Sequence, residues 1–192
     1  MSGPSRLHAL AGVLLALLLL GSAGGSVADQ SDPRLDELFD RLANAPSARL
    51  AATVEQEIWH IWFAHDVAAA QALLQRARER AQAGDAAAAN GLFDELVTTY
   101  PDFAEGWNQR AILRYLQGDL DGSLADIART LALEPRHFGA LSGRGQCLLR
   151  LERYADAAAT FEDALALNPW LDSVRMQLEM IAPLLNDPPR AI

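Results

Sequence analysis

Few side chains between residues 30 and 192 have types that could carry chemistry. They are His60, His65, His137, Cys147 and a run of arginines set among aromatic residues. His60 and His65 are five apart, which turns them to different faces of one helix, and no second cysteine exists to complete a zinc set. Cys147 ends the stretch "SGRGQC", which opens a helix after Pro135 with no strand before it, so it fits neither a phosphate loop nor a serine elbow. The thiol reads as a buried packing group rather than a nucleophile. No catalytic residue, cofactor site or metal ligand set is expected. The strongest remaining candidate is "GWNQRAILRYLQGD", residues 106 to 119, where Trp107, Arg110, Arg114 and Tyr115 could grip an anion or read a nucleic acid. Whole-chain charge opposes that use: 25 acidic residues against 16 basic ones leave a net −9, which repels nucleic acid and anionic membrane surfaces but not a basic partner.

The elements that must hold these residues are helices. From Asp29 onward apolar positions recur at three and four, and turn residues punctuate the chain every 12 to 18 positions. The chain itself begins differently. Arg6 precedes an apolar run from Ala9 to Leu20, which suits a signal-peptide core and is too short to span a bilayer, where about 20 residues are needed. Ser26 and Ala28 have the small size and spacing that a signal peptidase reads, so residues 1–28 are expected to be removed, with Ala23 as the fallback site and an uncleaved anchor as the alternative. No cysteine near the junction suggests a lipoprotein anchor, and no membrane insertion is expected after cleavage. Every basic residue other than histidine is arginine, and alanine and leucine abound, a usage that favours a bacterial periplasm over a eukaryotic secretory route. The single cysteine cannot form an intramolecular disulfide, so packing alone must hold the fold.

Internal repetition then organises the helices. Pro101, Pro135 and Pro169 are evenly spaced, and Arg76, Arg110 and Arg144 keep the same step. Leu73, Trp107 and Leu141 keep it too, and so do Ala77, Ala111 and Gly145. A 34-residue period with a large apolar residue early, a small one four later and a closing proline resembles the tetratricopeptide repeat. The resemblance implies an all-α solenoid of antiparallel helix pairs with units 70–103, 104–137 and 138–171. In each unit the small residue of helix A lets helix B approach closely. "GD" at Gly84-Asp85 and Gly118-Asp119 turns the chain, and "ER" at Glu152-Arg153 departs from that pattern. Helix B offers Ala89, Ser123 and Ala157, then Phe93, Ile127 and Phe161, then Leu96, Thr130 and Ala164 as packing positions.

A solenoid needs a cap at each end. Residues 172–192 supply a closing helix with Val174, Leu178 and Ile181 on one face, a polar back, Asp172 as N-cap and a frayed tail. Residues 29–69 form an N-terminal helical hairpin: Leu35, Leu38, Phe39 and Leu42 share the face of a first helix, and a second runs from about Ala48 to His65. Pro46 falls inside helix A of the shifted frame, so this hairpin is a poor fourth repeat. Its cluster of Trp59, Trp62 and Phe63 is expected to pack on the first repeat, with an aromatic partner patch as the other reading.

By resemblance to the family, one stripe of each helix A lines a concave groove for a peptide or partner helix. Here it comprises Gln71, Leu74, Arg78 and Ala81, then Glu105, Asn108, Ile112 and Tyr115, then Gly139, Ser142, Gln146 and Leu149, flanked by Leu116 and Arg150. The carboxylate clamp of chaperone-binding members is not expected, because its positions hold Leu74, Arg78, Gln109, Gly139 and Gly143. The function implied is a non-catalytic scaffold or adaptor in the bacterial envelope. An accessory subunit is the alternative, its repeats and Trp-rich hairpin forming a permanent oligomer interface. In the repeat frame Arg110 leaves the groove stripe and is expected to reach Asp126 on helix B.

Overall fold

A computed structural model describes residues 30 to 186. The expected signal segment, residues 1–28, and the tail from residue 187 lie outside those residues. Nine helices and no strand occur among the described residues: α1 (Arg34–Ala43), α2 (Ala48–Phe63), α3 (Ala68–Gln82), α4 (Ala86–Thr99), α5 (Ala104–Gln117), α6 (Leu120–Leu133), α7 (Phe138–Arg150), α8 (Tyr154–Leu167) and α9 (Asp172–Asn186). The pairs α3/α4, α5/α6 and α7/α8 form three antiparallel hairpins that stack in chain order, with α9 against α8. The protein is an all-α solenoid.

The proline, glycine and small-residue signals of the repeat have local physical counterparts, whereas of the three arginines in phase only Arg110 forms an ion pair among the described residues. The three prolines occupy the second position of the same turn. The N–H of Phe103, His137 and Leu171 bonds the carbonyl of Tyr100, Glu134 and Asn168 respectively, and the fixed φ of proline suits that position. Gly84 and Gly118 exit their helices with φ of 76° and 84°, and the carboxylates of Asp85 and Asp119 then accept the N–H of Ala88 and Gly122. In the third hairpin Glu152 must take the same left-handed turn, at φ 57°, and Arg153 offers no cap. Between paired helices the small residues meet large ones. A Cβ on Gly145 would run into the ring of Phe161, so only glycine lets α7 sit this close to α8.

Two expectations about the ends need correction. Asp172 is the first residue of α9 rather than its N-cap, since the N–H of Val174 and Arg175 bond the carbonyl of Leu171. Val174 and Ile181 pack inward as expected, but the back of α9 is not polar: Met176 and Met180 stand in solvent with Leu184 and Leu185. Residues 176, 180 and 184 form their own stripe at helical spacing, roughly opposite the packed one.

The hairpin α1/α2 also departs from expectation. α2 ends at Phe63, and the hairpin does not add a layer before α3. It folds back over one edge of the solenoid and is tied to all three inter-repeat turns. Gln30 donates to the carbonyl of Asp102, and the His65 ring packs on Phe103. Arg136 pairs with Asp36 and lies over the Phe39 ring. Asn168 donates to Glu55, and the Trp170 indole N–H donates to the carbonyl of Leu42. Leu35, Leu38, Leu42, Ile58 and Trp62 therefore share one buried cluster with Phe138.

Candidate partner groove

Helix α5 runs through the middle of the concave face, touching α3 on one side and α7 on the other. Its first turn is closed off. Glu105 is fully buried, and its carboxylate accepts from Asn108 Nδ2 at 3.0 Å, Gln109 Nε2 at 2.6 Å and His137 Nε2 at 2.9 Å. His137 Nδ1 accepts the N–H of Ala140 as the cap of α7, so the ring proton sits on Nε2 and points at Glu105. The buried carboxylate thus has three donors, which offset its desolvation. Trp62 stacks on the His137 ring at 4.1 Å, and Trp59 lies on Gly139, where a Cβ would be 2.5 Å from its Cη2.

This arrangement divides the predicted stripe. Glu105 is inside the network and Leu74 is inside the first-repeat core, so neither is open to a partner; Asn108 is 3% exposed with its Nδ2 on Glu105 and keeps only a small surface on the cavity toward α7. For Glu105 the hairpin supplies the reason, since Trp62 stacks on the His137 ring that bonds its carboxylate, whereas Leu74 is covered by its own repeat. Ser142 spends its hydroxyl on the carbonyl of Phe138, and Leu149 packs with the third-repeat core. Gln71 is exposed on α3. The aromatic patch is corrected in the same way. Trp62 is buried, Trp59 and Phe63 are half-buried, and the two tryptophans pack on His137 and Phe138 instead of the first repeat. Only Phe63 meets the first-repeat core, with the Arg78 guanidinium over its ring at 4.7 Å. An oligomer contact through this patch would meet only the parts of Trp59 and Phe63 that this packing leaves open.

The other half of the groove is open. Ile112 is 45% exposed and Leu116 73% exposed, one turn apart on α5. They form a ridge between two hollows. On the α3 side a cavity of about 280 Å³ is bordered by Arg78, Ala81, Gln82, Phe93 and Gln109. On the α7 side a cavity of about 250 Å³ is bordered by Tyr115, Gly139, Gly143, Gln146 and Ile127. Arg150 stands behind Tyr115 at the far rim, donating to its carbonyl at 3.0 Å with the guanidinium 4.9 Å over its ring. Restricting the site to one stripe of each helix A missed Gln82, Gln109 and Gly143 beside that stripe and Phe93 and Ile127 on helix B. Phe93 and Ile127 are the same helix-B position in successive repeats, and Gly143 is a small residue beside the stripe, so the period carried a signal for these three.

Arg110 belongs to the scaffold. Its Nε and Nη2 bond both oxygens of Asp126 at 2.8 and 2.7 Å, and its Nη1 reaches Asp94 at 2.8 Å. Burial works against the charge of Arg110, but the carboxylates of Asp126 and Asp94 outweigh it and raise its pKa above the ordinary value. Arg114 adds a 3.0 Å contact to Asp126. Cys147 is buried and donates to Ser123 Oγ at 3.4 Å; burial pushes the thiol up, against the Ser123 hydrogen bond and the Arg150 charge.

The model of the tetratricopeptide repeat family matches residues 74–132 and 108–169. A TPR repeat-containing protein of Rhizobium etli is 33% identical over 149 residues, which cover 78% of this chain and 73% of that protein. Tetratricopeptide repeat protein 36 of Bos taurus is 35% identical over 115 residues, 54% of this chain and 56% of its own length. Among solved structures, the first TPR of Spaghetti (RPAP3) bound to the HSP90 peptide SRMEEVD superposes with a TM-score of 0.60 at 19% identity, over 62% of this chain and 94% of that one. The TPR2B domain of yeast Sti1 in complex with pHsp70 gives 0.53 at 18% identity, over 58% and 91%. At such identities the likeness speaks for the fold.

Proposed function

Because this chain belongs to the tetratricopeptide repeat family, we propose that it is a non-catalytic adaptor of the bacterial envelope that holds a segment of a partner protein in the open half of its concave groove. One observation carries this reading: Ile112 and Leu116 stand exposed as a ridge between two cavities, on a face that the fold elsewhere closes with its own hairpin. An apolar ridge with a hollow on each side suits a chain that lays alternate side chains left and right; Gln146 borders one hollow with an amide group that can bond its backbone, and Gln109, whose Nε2 is held by Glu105, borders the other with its amide oxygen. Two structural neighbours, one bound to the HSP90 peptide SRMEEVD and one in complex with pHsp70, support reading the chain as a holder of a partner segment. Export to the periplasm is part of the proposal and rests on the apolar run before Ser26 and Ala28.

A photo-crosslinking residue at Leu116, compared with one at Thr98 on the exposed side of α4, tests the groove. Specific protein adducts are expected from position 116 alone, and they are expected to disappear when Ile112→Ala is added. Identical adducts from both positions, or adducts that survive Ile112→Ala, would sink the assignment. Export is read separately: the mass of the protein recovered from the periplasmic fraction should correspond to a chain beginning at Asp29. An intact leader on a cytoplasmic protein would refute that part.

A further inference from the structure

We infer that the groove selects an internal, extended segment in which two isolated acidic residues, about six positions apart, bracket apolar ones, with Arg78 taking one acid and Arg150 the other. The inference rests on the groove reading and adds the chemistry of the partner. Neither cavity beside the Ile112–Leu116 ridge is lined by an aspartate or glutamate, in a chain that carries 25 of them. Other hollows of the surface do have such residues, Glu37 and Glu57 in one and Glu152 and Asp156 in another. The groove is therefore a carboxylate-free window in an acidic surface.

Its two ends carry cations. Neither Arg78 nor Arg150 forms an ion pair among the described residues, whereas eight other arginines do. Arg49, Arg76, Arg129 and Arg144 also have no ion pair, but none of them borders the groove: they stand exposed, Arg129 against Trp107. Arg78 lines the cavity on the α3 side, and Arg150 lies over Tyr115, which lines the one on the α7 side. Each guanidinium rests on an aromatic ring, Phe63 or Tyr115, at 4.7 and 4.9 Å from the ring centres. Such a contact holds a guanidinium in place and leaves N–H edges free, which is the preorganisation a carboxylate needs for paired hydrogen bonds. The acidic surface outside the groove repels a segment that is acidic throughout, so specificity favours single acids at the two ends. Going from α3 across α5 to α7 takes two interhelical steps of roughly 9 Å. An extended chain covers that distance in about six residues at roughly 3.3 Å each.

A displayed library of random twelve-residue peptides, fused at the C-terminus so that no free chain carboxylate is presented, is panned on the purified full chain. The enriched clones are expected to carry an acid on each side of apolar residues. A capped synthetic peptide of the leading clone should bind about tenfold or more weakly when both acids become amides, the order expected for two charge-assisted pairs at a solvent edge. Arg78→Gln with Arg150→Gln should weaken the parent peptide by a similar factor and leave the amide peptide unaffected. Enriched clones without acids whose binding is lost in Ile112→Ala with Leu116→Ala would overturn this inference and leave the groove standing. Clones indifferent to Ile112→Ala with Leu116→Ala would overturn the groove reading as well, and so would no enrichment over the bare support.

Discussion

Replacing Arg110 by leucine removes the partner of a carboxylate that cannot reach water. Asp126 is 3% exposed at its side chain and Arg110 12%. Of the three bonds lost, the one to Asp94 counts for little, since that carboxylate is mostly exposed and exposed pairs contribute about 0 to 1 kcal/mol. The two bonds to Asp126 matter more, because stranding a buried charge costs about 3–5 kcal/mol. Arg114 remains 3.0 Å from Asp126 and offsets part of this, so we expect a net loss of about 2–3 kcal/mol. Leucine also gives up the guanidinium lying 4.9 Å over Trp107. For a domain of this size the loss corresponds to a fall in Tm of roughly 5–10 °C. Urea and thermal unfolding followed by far-UV circular dichroism measure it, and the double variant Arg110→Leu with Asp126→Leu completes a cycle. The double variant should be more stable than the sum of the single changes implies, because no buried charge is left unpaired. An Arg110→Leu protein within about 0.5 kcal/mol of wild type, or strictly additive costs, would refute the reasoning.

Three further outcomes follow from single positions. Glu152 holds φ 57° where the other two repeats have glycine, so Glu152→Gly should stabilise the protein by about 0.5–1 kcal/mol, read as a rise in Tm. Gly139→Val should push Trp59 off the α7 backbone and loosen the hairpin, visible as a red shift of tryptophan emission and a loss of about 1–3 kcal/mol in urea, the usual cost of overpacking. Cys147 has its pKa raised mainly by burial, so little of it is thiolate at pH 8, and it should react with a thiol reagent only at the rate at which the protein opens. Fast labelling without denaturant would contradict the buried placement.

The hairpin shows where reading the chain by period alone falls short. Leu35, Leu38, Phe39 and Leu42 were legible as one face of a helix, and Trp59, Trp62 and Phe63 as a packing cluster, because helical spacing is a local property. Which surface would receive them was not legible. Their receivers, His137, Phe138, Asn168 and Trp170, are far away in sequence and belong to turns whose repeat signature is Pro135 and Pro169. Asp32 and Arg34 flank Pro33, which falls in phase with the other turn prolines at two periods' distance, and the N–H of Leu35 bonds the carbonyl of Asp32 as in the later turns. That phase was visible in the sequence, but the break at Pro46 hid it.

By itself the sequence determined the parts that repeat: the helices, their turns at Pro101, Pro135 and Pro169, the glycine exits at Gly84 and Gly118, and the pairing of small with large residues across each hairpin. These follow from backbone sterics and from contacts within a single repeat length, and the pattern is restated from one unit to the next. Only the tertiary structure decided which concave residues remain open. Glu105 and Asn108 sit in the same stripe as Ile112, yet Glu105 is enclosed beneath His137 and Trp62 and holds the Asn108 amide, while Ile112 faces solvent. The difference is made by a hairpin that folds back over one edge of the groove, and a long-range docking of that kind depends on shape complementarity between elements, which no single stretch of sequence contains.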